Sequence, residues 1–163
     1  MSESGAAVRW RTAGPGEAEA LRDLEREASL VGLAHVFPAE RYPFPDEAVL
    51  YRWAMTLAEP DVRVEVVDAP GGGLLAFVAS DATTLRHLAV RPDAWGTGLA
   101  TDAVARVVGA ADRPLLLWVL EDNHRARSLY EHLGWVPTGT TQKCPWVPHP
   151  LELQYRAPER GRA

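Results

Sequence analysis

The feature that most limits what this chain can fold into is the stretch from Leu85 to Ala111. Leu85-Arg86-His87-Leu88-Ala89-Val90 has the apolar and β-branched character of a strand. Arg91-Pro92-Asp93-Ala94 breaks it. Trp95-Gly96-Thr97-Gly98-Leu99-Ala100 then leads into a run whose apolar positions, Ala100, Ala103, Val104, Val107, Val108 and Ala111, fall on one face of a 3.6-residue period. A strand, a turn carrying Gly96 and Gly98, and a helix therefore follow one another. The small residues leave uncovered the orphan backbone N–H groups at the positive end of the helix, an arrangement that attracts phosphate. A glycine pair ahead of a helix is also, quite often, only a turn.

A second stretch bears on that choice. Leu115-Leu116-Leu117-Trp118-Val119-Leu120 is a short unbroken apolar run, as expected of a strand covered on both faces. After Glu121-Asp122-Asn123, the residues Ala126, Leu129, Tyr130 and Leu133 recur at helical spacing, and Gly134 is placed to end that helix.

Together, Leu88-Ala89-Val90, Trp95-Gly96-Thr97-Gly98-Leu99-Ala100 and Asn123-x-x-Ala126-x-x-Leu129-Tyr130-x-x-Leu133-Gly134-Trp135 resemble the GNAT family of acyl-coenzyme A dependent N-acetyltransferases. The close match runs from Leu85 to Trp135. The family's phosphate loop has Gln or Arg, two residues, Gly, one residue, then Gly or Ala. Gly98 and Ala100 fill the last slots here, and Trp95 stands in the first, where it offers no polar side chain for phosphate.

The resemblance implies an α/β (α+β) acyl-CoA N-acyltransferase fold: a mixed, mostly antiparallel sheet of about six to seven strands with a splayed parallel pair, flanked by about four helices. One domain spans residues 1–163, with a cofactor core over about 84–135 and acceptor-side elements over about 14–58 and 136–156. It implies acetyl-CoA as cosubstrate. Leu88, Ala89 and Val90 would bond the pantetheine arm through main chain, in the manner of an added strand. Trp95, Gly96, Thr97, Gly98, Leu99 and Ala100 would take the pyrophosphate, with Asn123 and Ala126 completing the cofactor site. Tyr130 would donate the proton to the departing thiolate, its phenol pKa near ~10 keeping it protonated. Asn123 and Tyr130 are i and i+7, about 10 Å apart along one helix face at 1.5 Å per residue. Tyr130 could equally complete an apolar face with Leu129 and Leu133.

His87, on the central strand, is the candidate base that relieves an incoming ammonium of its proton, although a lone histidine on such a strand is more often structural. His35 and Glu40 are weaker candidates, and His124 and His132 fall on the solvent side of the last helix. Leu33 to Pro45 holds Pro38, Pro43 and Pro45, which forbid a continuous helix, together with Phe37, Tyr42 and Phe44. Aromatic packing of a loop explains these residues; by resemblance this connection walls the acceptor pocket, so His35, Phe37, Tyr42 and Phe44 become candidate acceptor contacts.

The remaining elements follow from period and punctuation. Residues 7 to 13 alternate as a first strand; Gly14-Pro15-Gly16-Glu17 opens a helix with Leu21, Leu24, Ala28 and Val31 inward. Asp46 is a plausible N-cap for a helix with Val49, Leu50, Trp53 and Leu57 inward. Val62 to Val66 and Leu74 to Ala79 form a hairpin about Ala69-Pro70-Gly71-Gly72-Gly73. Alternation puts Thr84, Arg86, Leu88 and Val90 on one face of the central strand and Leu85, His87 and Ala89 on the other. Val136 to Cys144 and Leu151 to Tyr155 close the sheet, with exposed edges that make a homodimer reasonable.

A net charge of −5 argues against a nucleic-acid footprint. Cys144 is the sole cysteine and the 5 histidines are scattered, so neither a disulfide within the chain nor a metal site is expected. No run of about 18 apolar residues and no signal-like segment occurs, which points to no membrane association and a cytoplasmic location. A dinucleotide site is disfavoured: Thr101 holds the third glycine slot, and antiparallel strands precede the loop. The expected function is acetyl transfer from acetyl-CoA to an amine of a small molecule or peptide; the rival is a non-catalytic acyl-CoA-binding module.

Overall fold

The computed structural model describes residues 8–159. Its elements are β1 (Arg11–Thr12), α1 (Ala18–Gly32), α2 (Asp46–Ala58), β2 (Arg63–Asp68), β3 (Leu74–Ser80), β4 (Leu85–Val90), α3 (Leu99–Ala110), β5 (Leu116–Leu120), α4 (His124–His132), β6 (Val136–Lys143) and β7 (Leu151–Arg156). The strands form two sheets, ordered β1-β2-β3-β4 and β5-β7-β6, each antiparallel within itself. They meet at a parallel bridge between Thr84 and Leu116, beside the 2.9 Å bond from the Leu116 N–H to the Thr83 carbonyl. The splayed pair is thus β4 and β5, parted so far that the sheet divides in two.

Helices α1 and α2 cover one face of the first sheet. Leu21, Leu24, Val49 and Trp53 are buried against Val64, Val66, Phe77 and Ala79, and the Trp53 ring centroid lies 4.9 Å from that of Phe77. On the opposite face, Ala103, Val104 and Val107 of α3 and Tyr130 of α4 bury against Val78, Leu85, Leu115, Leu117 and Tyr155. Two apolar layers therefore enclose β3 and β4.

Several expectations need correction. The first strand is only Arg11–Thr12 among the described residues, and Ala7 lies outside them. Trp10 leaves the sheet to donate its Nε1–H to Asp102 of α3 at 2.9 Å. Val31 is 57% exposed rather than inward, because α1 turns Ala28, Ser29 and Gly32 toward a cavity described below. Asp46 is the first helical residue and Pro45 holds the cap position; the Asp46 carboxylate instead pairs with Arg26 of α1 at 2.7 Å, tying the helices together.

The alternation expected along β4 also fails. Ala79 faces His87 but Ser80 faces Leu85, so an extra residue, Arg86, is inserted as a β-bulge. Leu85 consequently joins Leu88 on the α3 side, while His87 and Ala89 turn to the α1 and α2 side. Arg86 is held at the bulge by Asp81 at 2.7 Å and Glu59 at 3.2 Å.

Candidate active site

The turn after β4 is built to leave backbone bare. Pro92–Ala94 form a single 3₁₀ turn, Gly96 follows with φ of 80°, and Gly98 caps α3 with φ of 89°, a left-handed conformation that side-chain-bearing residues rarely adopt. A Cβ added at Gly96 or Gly98 would meet no atom within 4 Å, so backbone conformation and not crowding requires glycine there. Leu99 is buried beneath the loop. The first backbone bond of α3 runs from the Asp102 N–H to the Gly98 carbonyl at 2.9 Å, so the amides ahead of it have no helical acceptor and face outward with the positive end of the dipole.

A cavity of about 850 Å³ extends from this loop along the parted strands to the region between the Phe37–Pro45 segment and the loop after β6. It brings together nearly all the residues singled out in the sequence: His87, Leu88, Ala89 and Val90 of β4; Trp95, Gly96, Gly98, Leu99 and Ala100; Asn123, Ala126 and Tyr130; and Phe37, Tyr42 and Phe44.

His35 and Thr97 are the exceptions. His35 is exposed and away from the cavity, its Nε2 2.7 Å from the Asp122 carbonyl and its ring stacked on His124 at 6.2 Å, so it fastens the α1–α2 connection to the start of α4. The Thr97 hydroxyl turns back to the Ala94 carbonyl at 2.6 Å. Glu40 is exposed and likewise does not line the cavity. Val90 lines it but offers less main chain than expected, because its carbonyl already accepts from the Trp95 Nε1–H at 2.8 Å.

The electrostatics separate Tyr130 from His87. Tyr130 is 6% exposed, its ring packed against Trp135 at 5.6 Å, and among the described residues its hydroxyl has no hydrogen-bond partner. Burial pushes its pKa well above the ordinary phenol value, so it stays protonated. His87 packs against Trp53 at 5.2 Å, and burial, with Arg52 and Arg86 adding positive charge, lowers its pKa to about 3. Such an imidazole is neutral at pH 7, and it lines the cavity as the sequence led one to expect. Asn123 is also more than a ligand candidate: its side-chain carbonyl caps α4 by accepting from the Ala126 N–H at 3.2 Å.

The sequence profile of the Acetyltransferase (GNAT) family matches residues 18–135. The chain belongs to the GNAT family. Its fold is shared with a PaiA N-acetyltransferase of Thermoplasma acidophilum solved with coenzyme A (TM-score 0.68, 14% identity, 93% of this chain and 98% of that one). It is similarly shared with apo YjaB of Escherichia coli (TM-score 0.72, 18% identity, 92% and 97%). A phosphinothricin acetyltransferase of Sinorhizobium meliloti in complex with AcCoA is a further match (TM-score 0.65, 16% identity, 93% and 88%). No curated protein matches the chain in sequence.

As a GNAT member the protein is an acyltransferase whose cosubstrate is acetyl-CoA. The site fits that molecule: bare amides at a helix start, a long cleft with unpaired strand edges, and a protonated phenol beside it. At the far end the structure adds residues that the sequence did not single out. Trp146 and Cys144 line the cavity from the loop after β6, as does Glu152 of β7, whose Oε1 accepts from the Gln142 amide at 3.0 Å. Glu25 also lines it, bonded to Arg52 and to the Trp53 Nε1–H. The signal for the loop was present in Pro145, Trp146, Pro148 and Pro150, a second aromatic and proline-rich segment that only tertiary structure sets against the first.

Among the described residues no cluster of side chains could hold a metal ion, and no helix is long and apolar enough to cross a membrane.

Proposed function

We propose that this GNAT acetyltransferase moves the acetyl group of acetyl-CoA to the amine of a small molecule or peptide by direct attack of the neutral amine on the thioester carbonyl. The N–C bond forms, the C–S bond breaks, the departing thiolate takes a proton from Tyr130, and the surplus proton of the acetylated nitrogen restores the phenol. The main chain of Leu88 and Ala89 holds the pantetheine arm, the amides from Gly96 to Ala100 hold the pyrophosphate, and Asn123 and Ala126 flank the arm from α4.

The observation that carries this reading is the Tyr130 hydroxyl, protonated and without an internal partner, on a buried ring that lines a cavity between parted strands. The ring is buried while the oxygen faces the cleft with no internal acceptor, so its proton is available to a group that enters.

The acceptor end is Phe37, Tyr42, Phe44 and Trp146, with Glu152 as the carboxylate that receives the ammonium and its proton. Among the described residues Glu152 has no cationic partner, whereas the other carboxylate there, Glu25, is engaged by Arg52. These surfaces suit an amine carried on an apolar or aromatic body.

The test is thiol release from acetyl-CoA against a panel of aromatic amines, polyamines, aminoglycosides and peptide N-termini. Release with an amine, and mass spectrometry of the N-acetylated product, is the expected result. Calorimetric uptake of acetyl-CoA with no release across the panel would make the protein a binding module instead.

A further inference from the structure

We infer that Arg125 of α4 supplies the cation that the pyrophosphate loop lacks, using the indole of Trp95 as its seat. This rests on the acetyl-CoA reading above. From Trp95 to Ala100 the loop carries no charged side chain, and Trp95 occupies the slot where the family pattern has Gln or Arg. Helix-start amides supply only about half an elementary charge against a pyrophosphate.

The arginines lining the cavity are Arg52, Arg86 and Arg125. Arg52 is paired with Glu25, and Arg86 with Asp81 and Glu59. Among the described residues Arg125 has neither a carboxylate within ion-pair distance nor a hydrogen-bond acceptor. Its neighbour on the same helix shows the contrast: Arg127 spends its guanidinium on the Tyr155 hydroxyl at 3.0 Å and the Glu121 carbonyl at 2.8 Å.

The seat itself is fixed. The Arg125 guanidinium carbon lies 3.9 Å from the Trp95 ring centroid. The indole is held on one side by its bond to the Val90 carbonyl at 2.8 Å, and its far edge abuts Gly32 of α1, where a Cβ would come within 3.4 Å. A guanidinium held over an indole face by cation–π attraction has not spent its N–H groups on an acceptor, and these can bond phosphate oxygens in pairs. The residue that removes a polar side chain from the loop therefore becomes the platform for a cation delivered from another helix.

The experiment is calorimetry of the full chain with coenzyme A and with dephospho-coenzyme A. Arg125→Gln is expected to weaken both by about tenfold and to flatten the dependence of affinity on salt, with Arg125→Lys recovering part of the loss. The melting temperature should fall by only a few degrees, the loss of one exposed cation–π contact, so the variant stays folded for the titration. Wild-type affinity for coenzyme A in Arg125→Gln would overturn the inference. So would a loss confined to coenzyme A, which would assign the guanidinium to the 3′-phosphate. If the wild type took up neither ligand, the acetyl-CoA reading would fall first and this assignment with it.

Discussion

Thr84 and Leu116 form the parallel bridge at which the two sheets touch, and beyond it β4 and β5 separate. Each strand then presents an edge whose backbone groups need partners, and water or an extended ligand must provide them. The cleft so made ends near the bare amides at the start of α3 and is walled by Tyr130 from α4. The sheet break thus sets a template for an amide-bearing chain beside a donor of protons and a site for phosphate.

Tyr130→Phe separates chemistry from packing. The ring contacts with Trp135 survive and no internal hydrogen bond is lost, so the melting temperature should match wild type. Loss of a positioned proton donor should lower kcat by about 10²-fold or more, with the affinity for acetyl-CoA retained. Steady-state kinetics and a thermal melt check this; an unchanged kcat would return Tyr130 to the core.

Asn123 has a structural task that can be removed on its own. Asn123→Ala deletes the α4 cap and should cost about 1 kcal/mol, lowering the melting temperature by roughly 2–4 °C. Asn123→Asp restores an acceptor for the Ala126 N–H and should restore stability. If the Asp variant melts like wild type yet shows a raised KM for acetyl-CoA, the amide serves the cofactor as well as the helix.

What was legible in the chain was what is local. The strand, Gly98 turn and α3 are specified by residues within thirty positions of one another, as is the α4 cap. The lost features depend on distant partners. The bulge that flips Leu85 away from His87 is held by Arg86 with Glu59, which no alternation pattern along β4 contains. Val31 fits an apolar stripe, but α1 turns its small residues, Ala28 and Gly32, toward the cavity. His35 and Glu152 exchange importance for the same reason: the fold brings the start of α4 to the first and the cavity to the second.

His87 should leave a signature in stability. Its folded pKa of about 3 lies below the unfolded value near 6.5, so between those values the unfolded chain binds the additional proton. Stability is therefore full above about pH 6.5 and falls as pH drops toward 3, with a slope below the one-proton limit of ~1.4 kcal/mol per unit. Glu17 and Asp68, held below the usual carboxylate range by hydrogen bonds from Arg11, do not titrate in the upper part of this window. Urea unfolding at pH 7 and pH 5 should show the loss in wild type and a smaller one in His87→Gln. Equal slopes would remove His87 from the window.

Glu152→Gln tests the acceptor end. The substitution keeps the shape and the contact to Gln142 while removing the charge, so acetyl-CoA affinity should not change. The KM for a cationic acceptor should rise by about tenfold, the effect of losing a partly screened ion pair of ~1.4 kcal/mol. If Glu152 also takes the ammonium proton, the rate deficit should shrink at high pH, where more of the amine is already neutral. A pH-independent deficit in kcat/KM would limit Glu152 to binding, and a wild-type profile would move the ammonium elsewhere in the cavity. The second carboxylate available there is Glu25, whose release from Arg52 would then be the thing to measure.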